Sequence, residues 1–115
     1  MSAPAPAAKG SYALEALTDD FGFYVRADAL LAERRSPMQH IEILDTPLFG
    51  RAMRIDGCFM TSERDEFFYH EPMIHLPAVS FGRPRSALII GGGDGGAAEE
   101  LLKHPDMQRV VLAEL

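Results

Sequence analysis

Short runs of alternating apolar and polar side chains occupy the first half of the chain, and this alternation is typical of half-buried β-strands. The runs cover residues 21–26, 39–45, 51–56 and 58–61. Asp56-Gly57 separates the last two runs, and this dipeptide favours a two-residue hairpin turn. Residues 29–35 fit a strand or a helix by pattern alone. We therefore expect a small antiparallel β unit, built from hairpins, over residues 21–62.

A helical pattern follows these strands. Ser62-Glu-Arg-Asp65 is a variant of the capping box and places a helix start at Ser62, from which the pattern continues to about residue 78. Pro72 lies well inside this stretch, where the loss of one backbone N–H donor should kink or shorten the helix.

The end of the chain has the pattern of one βαβ unit. Residues 86–90 and 109–114 are continuous apolar runs of the kind found in buried parallel strands, and residues 97–104 between them are helical. A single βαβ unit leaves its two strands with exposed edges. We expect the chain to be the truncated front part of a longer protein, or to have a partner that supplies the rest.

These patterns predict an α/β fold in three parts. Residues 1–20 are predicted to be a disordered tail, which is Ala/Pro-rich and polar to about residue 11. Within it, residues 12–18 fit a short helical or extended lead-in. Residues 21–83 are predicted to be the β-hairpin domain with its helix. A linker at residues 81–84 then leads into residues 84–115, the start of an incomplete α/β domain.

A glycine loop joins the first strand of the βαβ unit to its helix, and this arrangement forms small-molecule sites. Gly91-x-Gly93-x-x-Gly96 fits the dinucleotide fingerprint, with Glu114 about 20 residues beyond the loop, where a ribose-binding acid belongs. Gly91-x-Gly93-x-Gly95 also fits the looser loop of S-adenosylmethionine-type sites. The spacing of the glycines alone does not distinguish a dinucleotide site from an S-adenosylmethionine-type site.

The charge of Asp94, inside the loop, favours the second ligand class. A dinucleotide would place its pyrophosphate on this loop, where a carboxylate repels it. At ~4 Å and an effective dielectric of about 20, each such charge pair repels by about 4 kcal/mol. A cationic adenosyl ligand would be attracted instead, with Glu114 accepting hydrogen bonds from its ribose hydroxyls. The alternative is that Asp94 only caps the following helix.

Other polar side chains carry weaker signals. Tyr69 and His70 either point toward a ligand cleft or serve a structural role. The other three histidines, His40, His75 and His104, show no metal-ligand spacing, so we expect no metal site. Asp65 and Glu66 have the placement of acids that stabilise a helix N-terminus, and we expect a structural role for them, as for these three histidines.

Composition excludes several classes of protein. The formal net charge of −6 over 115 residues argues against nucleic-acid binding, which needs a basic surface. No apolar run reaches the roughly 20 residues of a membrane-spanning helix, and the N-terminus has no signal-peptide core. Cys58 is the only cysteine, so no intrachain disulfide can form. We expect a cytoplasmic protein.

Five stretches together resemble the polyamine aminopropyltransferases, and in particular the spermidine synthase family. They are Phe21-Gly-Phe-Tyr-Val25, Gln39, Phe49-Gly-Arg51 before Ile55-Asp-Gly57, Thr61-Ser-Glu-Arg-Asp-Glu-Phe-Phe-Tyr-His-Glu71, and residues 88–96 with Leu101-Leu-Lys-His104. The fourth stretch and the Gly-Gly-Gly-Asp-Gly-Gly loop are together far more specific than a glycine loop alone. The resemblance covers roughly residues 21–115.

The resemblance implies a fold and a reaction. The family has a small N-terminal β domain followed by a Rossmann-like domain similar to that of methyltransferases, and its members are homodimers or homotetramers. They transfer an aminopropyl group from decarboxylated S-adenosylmethionine to putrescine, which gives spermidine and methylthioadenosine. No separate cofactor is implied.

By motif position, the resemblance also implies residue roles. Gln39 and Glu114 would hold the methylthioadenosine part, Asp94 and His70 the aminopropyl and polyamine end, and Tyr69 would line the putrescine side. The glycine loop would be formed by Gly91, Gly93, Gly95 and Gly96. The family's proton-accepting Asp is expected beyond position 115, so no catalytic base is assigned in this chain.

The sequence departs from the family pattern at several positions. Met60 stands where the family has Gln, Pro72 where it has Met, and Glu99 where it has Arg. Two other interpretations stay open: a truncated, non-catalytic paralogue that acts as an oligomerisation module, and another S-adenosylmethionine- or dinucleotide-binding enzyme.

Overall fold

The structure is a computed structural model that describes residues 10–115. The chain divides into two compact units, which meet in sequence between Arg64 and Asp65. The first unit is built from strands and the second from two helices and two parallel strands. This order confirms the predicted β domain followed by a βαβ unit.

Six strands make up the first unit. They are β1 (Ser11–Ala16), β2 (Gly22–Ala27), β3 (Ala29–Arg35), β4 (His40–Thr46), β5 (Gly50–Ile55) and β6 (Cys58–Ser62). β1 and β2 form a two-stranded antiparallel sheet, and β3 to β6 form a four-stranded antiparallel sheet in chain order. Residues 29–35, which the pattern left undecided, are therefore a strand.

The predicted disordered tail over residues 1–20 is wrong for residues 11–16, which form β1, and of the two conformations offered for the lead-in the extended one is observed. This strand pairs with β2 from Ser11 opposite Ala27 to Ala16 opposite Gly22. Pairing satisfies the backbone groups of the segment, and Ala13 is buried together with Ala27 and Leu44. The part of the predicted tail in residues 1–9 lies outside the described residues.

The Asp56-Gly57 turn confirms the predicted hairpin. Both residues have positive φ, 51° for Asp56 and 86° for Gly57. Two consecutive positive φ values match the twist of the flanking strands in a type I′ turn, and Asp followed by Gly is a favoured pair for it. The turn joins β5 to β6 and so sets the pairing of Ile55 with Cys58.

The second unit contains a complete βαβ crossover. Its elements are α1 (Phe67–Phe81), β7 (Ser86–Ile90), α2 (Gly96–Leu102) and β8 (Arg109–Ala113). β7 and β8 are parallel and in register from Ser86 opposite Arg109 to Ile90 opposite Ala113. The core consists of Ile89, Ala97 and Leu101, with Ile74 of α1 packed against them.

The contact between α1 and α2 corrects the predicted domain boundary. The sequence grouped α1 with the β-hairpins and placed the boundary at residues 83–84, whereas the compact units divide after Arg64. Ile74 contacts the core of the βαβ unit, and His75 of α1 is hydrogen-bonded to Glu100 of α2. A helix belongs to the compact unit against which it packs, and the local sequence pattern carries no information about that packing.

α1 also begins later than predicted and is not shortened by its prolines. Ser62 ends β6, and the helix starts at Phe67 with Glu66 as the N-cap residue. The 15-residue helix then continues through both Pro72 and Pro77. Within the described residues, neither helix is long and apolar enough to cross a membrane.

Candidate functional site

The glycine loop lies at the carboxyl end of β7 and leads into α2. Gly91 and Gly95 have φ values of 81° and 85°, in the left-handed region that strongly favours glycine. The Gly91 N–H donates to the carbonyl of Ala113 at 2.8 Å, which ties the loop to the end of β8. The loop therefore sits where both parallel strands end, the usual ligand position in this type of sheet.

Glu114 follows β8 directly, and its carboxylate reaches into the loop. Its Oε2 accepts a hydrogen bond from the Gly93 N–H at 2.8 Å. A Cβ added to Gly93 would lie 2.9 Å from the same oxygen, so the close approach depends on glycine. Parallel pairing of β7 with β8 brings together these residues, which are 21 positions apart.

Asp94 uses its two carboxylate oxygens differently. Oδ1 accepts from the Gly96 N–H at 3.0 Å, at the start of α2. Oδ2 lies 3.3 Å from Nε2 of His70. Asp94 therefore contacts the first residue of α2 without being its N-cap, which is Gly95, and it also pairs with a histidine from α1.

His70 is almost completely enclosed, with 3% of the residue exposed. Its Nδ1 contacts the carboxylate of Glu66, and its Nε2 faces Asp94. A Cβ added to Gly96 would overlap the imidazole ring. Each ring nitrogen thus meets a carboxylate, and the ring lies directly against the backbone of the glycine loop.

Tyr69 borders this cluster through its neighbour His70, and Gln39 belongs to the other compact unit. Tyr69 is 64% exposed, and its ring stands edge-on to that of His70 with centroids 5.3 Å apart. Gln39 lies in the first unit, just before β4, where its N–H donates to the Ser36 hydroxyl at 2.9 Å. Of the predicted polar site residues, the structure thus gathers His70, Asp94 and Glu114 at the glycine loop.

Glu66 is the residue of this cluster that the sequence does not mark as a site residue. Its position near the start of α1 predicts only a stabilising charge at the helix N-terminus, but its side chain contacts His70 one helical turn later. Residues four apart on a helix face each other, so the Glu66–His70 spacing was a usable signal. Its link to the loop arises only from the packing of α1 on α2.

A second polar network joins α1 to α2. His75 Nε2 lies 2.6 Å from a carboxylate oxygen of the buried Glu100, and His75 Nδ1 lies 3.0 Å from His104 Nε2. Lys103 donates to Glu100 at 2.6 Å, and this bond, together with that from His75, lowers the pKa of the Glu100 carboxyl below its ordinary value. The same bond to Glu100 raises the pKa of Lys103.

The electrostatics of the loop suit a cationic ligand. The N–H groups of Gly93 and Gly96, which would otherwise be free to donate to a phosphate, already donate to Glu114 and Asp94. A pyrophosphate would have to displace two carboxylates and would meet their negative charge. No group of three or more His, Cys, Asp or Glu residues with metal-binding geometry occurs within residues 10–115.

Two family models match consecutive parts of the chain. Residues 13–63 match a spermidine synthase tetramerisation domain, and residues 66–115 match a spermine/spermidine synthase domain. Their junction falls within two residues of the division between the two compact units. The fold and the loop define an α/β protein of the Rossmann-like type.

Curated relatives and solved structures agree with these models. A polyamine aminopropyltransferase of Nitrosomonas europaea is 68% identical over 97% of this chain, and one of Bacillus subtilis is 39% identical over 88%. The crystal structure of spermidine synthase from Thermotoga maritima superposes with a TM-score of 0.88 at 33% identity, over 96% of this chain and 40% of that one. A second structure, of a spermidine synthase in complex with the transition-state analogue AdoDATO, gives the same TM-score and identity, over 96% of this chain and 39% of that one.

The chain belongs to the spermidine synthase family. It spans about a third of the length of its curated relatives: 35% of the Nitrosomonas protein and 37% of the Bacillus protein.

Proposed function

We propose that this chain provides the nucleoside-binding and amine-binding residues of a spermidine synthase-like aminopropyltransferase. The reaction moves an aminopropyl group from decarboxylated S-adenosylmethionine to putrescine and gives spermidine and methylthioadenosine. The observation that carries the proposal is the placement of two carboxylates, Asp94 and Glu114, on the backbone N–H groups of one glycine loop. Family membership supports the same reaction.

The residues divide between the two ends of the ligand. Glu114, at the carboxyl end of β8, would accept hydrogen bonds from the ribose hydroxyls of the nucleoside, and Gln39 is proposed as a second contact of methylthioadenosine. Asp94 and His70 would hold the aminopropyl and polyamine end, with Tyr69 on the putrescine side. This division follows the resemblance for all five residues and is supported by the charge of the loop.

The chemistry requires a negative and well-ordered site. An amine nitrogen of putrescine attacks the carbon next to the sulfonium, and a C–N bond forms as the C–S bond breaks. Sulfur keeps the electron pair and becomes a neutral thioether, while the attacking amine loses a proton. Both reactants are cations, so carboxylates that are fixed in advance lower the cost of bringing them together. We assign no proton acceptor within residues 10–115.

Calorimetric titration tests the two ends separately. The wild-type chain should bind methylthioadenosine, and Glu114→Gln should weaken that binding about tenfold, because a charge-assisted hydrogen bond becomes a neutral one. Asp94→Asn should weaken spermidine binding about tenfold for the same reason and affect methylthioadenosine, which has no positive charge, less.

Asp106→Asn is the matched control for these titrations. Asp106 lies between α2 and β8, paired at 3.8 Å with the exposed Arg83, and its substitution removes one carboxylate of the same unit away from the loop. Both affinities should stay at the wild-type level in this variant. A wild-type chain that binds NAD but not methylthioadenosine would sink the proposal in favour of a dinucleotide enzyme.

We also propose that the first unit mediates self-association into a homodimer or homotetramer. The match of residues 13–63 to a tetramerisation domain supports this, as does an apolar groove of about 370 Å³ lined by Phe23, Tyr24, Leu48 and neighbouring side chains. Sedimentation velocity should give a mass of two or four chains. If the chain self-associates but binds no adenosyl ligand, the oligomerisation-module alternative replaces the enzymatic one.

A cytoplasmic location is proposed with this function. Fractionation of cells that produce the chain tests this: recovery in a membrane or secreted fraction would contradict it.

A further inference from the structure

The buried ring of His70 is held from one side by Glu66, to which the proposed function gives no role in the site. Glu66 contacts Nδ1 of His70 through its carboxylate, and its backbone carbonyl accepts the His70 N–H at 2.9 Å. The same carbonyl accepts the Tyr69 N–H at 3.1 Å. Glu66, at the start of α1, therefore fixes the positions of both the backbone and the side chain of His70.

The surroundings of the ring leave it few other contacts. The His70 side chain is 4% exposed, and the backbone of Gly96 lies against the ring, so that even a methyl group at Gly96 would overlap it. On the far side, Nε2 faces Asp94, whose other oxygen is bonded to the Gly96 N–H. Since a carboxylate only accepts hydrogen bonds, the Glu66 contact places a proton on Nδ1 of His70.

We propose that Glu66 is the positioning residue of this site: its carboxylate orients the imidazole of His70 so that Nε2 addresses Asp94. The carboxylate that would bind the amine is thereby held by a chain of contacts that begins at the N-terminus of α1. The consequence for amine binding rests on the proposed function, whereas the orientation of the ring does not. In metal sites, a carboxylate behind a histidine fixes the orientation of its ring in the same way.

Nuclear magnetic resonance of the ring tests the orientation on the intact 115-residue chain. In the wild type, the ring Hε1 of His70 should show a nuclear Overhauser contact to the α-protons of Gly96, and Nδ1 should carry a proton. Glu66→Ala should abolish the contact to Gly96. Glu66→Gln should keep it but shift the Nδ1 signal, because an amide can donate as well as accept.

Titration of the same variants tests the consequence for binding. Glu66→Ala should weaken spermidine binding about tenfold, as expected for the loss of a charge-assisted hydrogen bond, and leave methylthioadenosine binding unchanged. Glu66→Gln should weaken spermidine binding less than about threefold, since the ring stays in place. If Glu66 only stabilised the fold, Glu66→Ala would weaken the binding of spermidine and of methylthioadenosine to the same degree.

Glu71→Ala is the matched control, because Glu71 is an exposed glutamate of the same helix and no contact described here joins it to His70. It should leave the ring signals and both affinities unchanged. If Glu66→Ala does not fold, the proposal is tested by Glu66→Gln alone, in which the Nδ1 signal of His70 should shift. Ring signals that stay as in the wild type in every folded variant would overturn the proposal. Ring signals that change as expected in a chain that binds no spermidine would refute the proposed function and leave the positioning role intact.

Discussion

At the scale of single residues, the buried carboxylate of Glu100 contributes to stability in a way that depends on pH. Its hydrogen bond from Lys103, with a second from His75, lowers its pKa, so the folded state favours the ionised form. This contribution is present above the ordinary carboxyl range and is lost as the pH falls through the lowered pKa.

We expect the wild type to have a higher free energy of unfolding than Glu100→Gln at about pH 6. This difference should narrow as the pH falls below the ordinary carboxyl range toward the lowered pKa of Glu100, because the carboxylate then takes up a proton. Urea denaturation at several pH values measures the difference. Glu99→Gln is the control, because Glu99 is 70% exposed and lies 3.9 Å from Lys103, so its difference from wild type should stay small throughout. A constant gap between wild type and Glu100→Gln across this range would contradict the expectation.

Residue types and motif positions marked His70, Asp94 and Glu114 in the sequence, and the structure gathers these three at the glycine loop. Glu66 was visible only as an acid near a helix start. Its contact with His70 follows from helical spacing, but its connection to Asp94 depends on how α1 packs against α2. Helical periodicity carries no information about which neighbour a helix face will meet.

At the scale of elements, the register of β1 makes a direct prediction. Ala13 is 8% exposed and points into the small core with Ala27 and Leu44, whereas the next residue, Leu14, is 63% exposed. Successive side chains of a strand point to opposite faces. A charge at position 13 would therefore be buried without a partner.

We expect Ala13→Glu to destabilise the first unit by several kcal/mol, which is the order of cost for burying an unpaired charge. Leu14→Glu, one position along, should cost less than about 1 kcal/mol because the side chain stays in solvent. Thermal melts followed by circular dichroism compare the two. Equal melting temperatures would show that residues 11–16 are not a strand in this register.

The strands that alternation predicted are all present. β1 was not among them, because its segment follows an Ala/Pro-rich stretch, whose composition predicts a disordered tail. What makes it a strand is its pairing with β2, a partner that begins six residues after β1 ends. Tertiary and cross-strand contacts override weak local preference in β-structure.

At the scale of the whole molecule, the net charge of −6 adds to the local carboxylates in favouring cations. Spermidine carries positive charge and methylthioadenosine carries none. Attraction between the acidic protein and the polyamine should therefore be screened by salt, since the Debye length falls from about 30 Å at 0.01 M to about 10 Å at 0.1 M.

Raising the ionic strength over this range should weaken spermidine binding several-fold and leave methylthioadenosine binding nearly unchanged. Titrations of both ligands in matched buffers give the two slopes, with methylthioadenosine as the internal control. Equal salt dependence of both ligands, or none for spermidine, would contradict an electrostatic origin of polyamine binding.

The sequence by itself determined the strands outside residues 11–16 and 29–35, and it determined the glycine loop, because alternation, apolar runs, turn dipeptides and glycine spacing act locally. The positive charge of the ligand is a prediction that the sequence makes from Asp94. Only the tertiary structure decided that α1 belongs with the βαβ unit and that residues 11–16 pair as a strand. It also decided that Glu66, His70 and Asp94 form one chain of contacts. These three outcomes depend on which surfaces bury one another. That choice is made by packing between residues distant in sequence, and no local pattern encodes it.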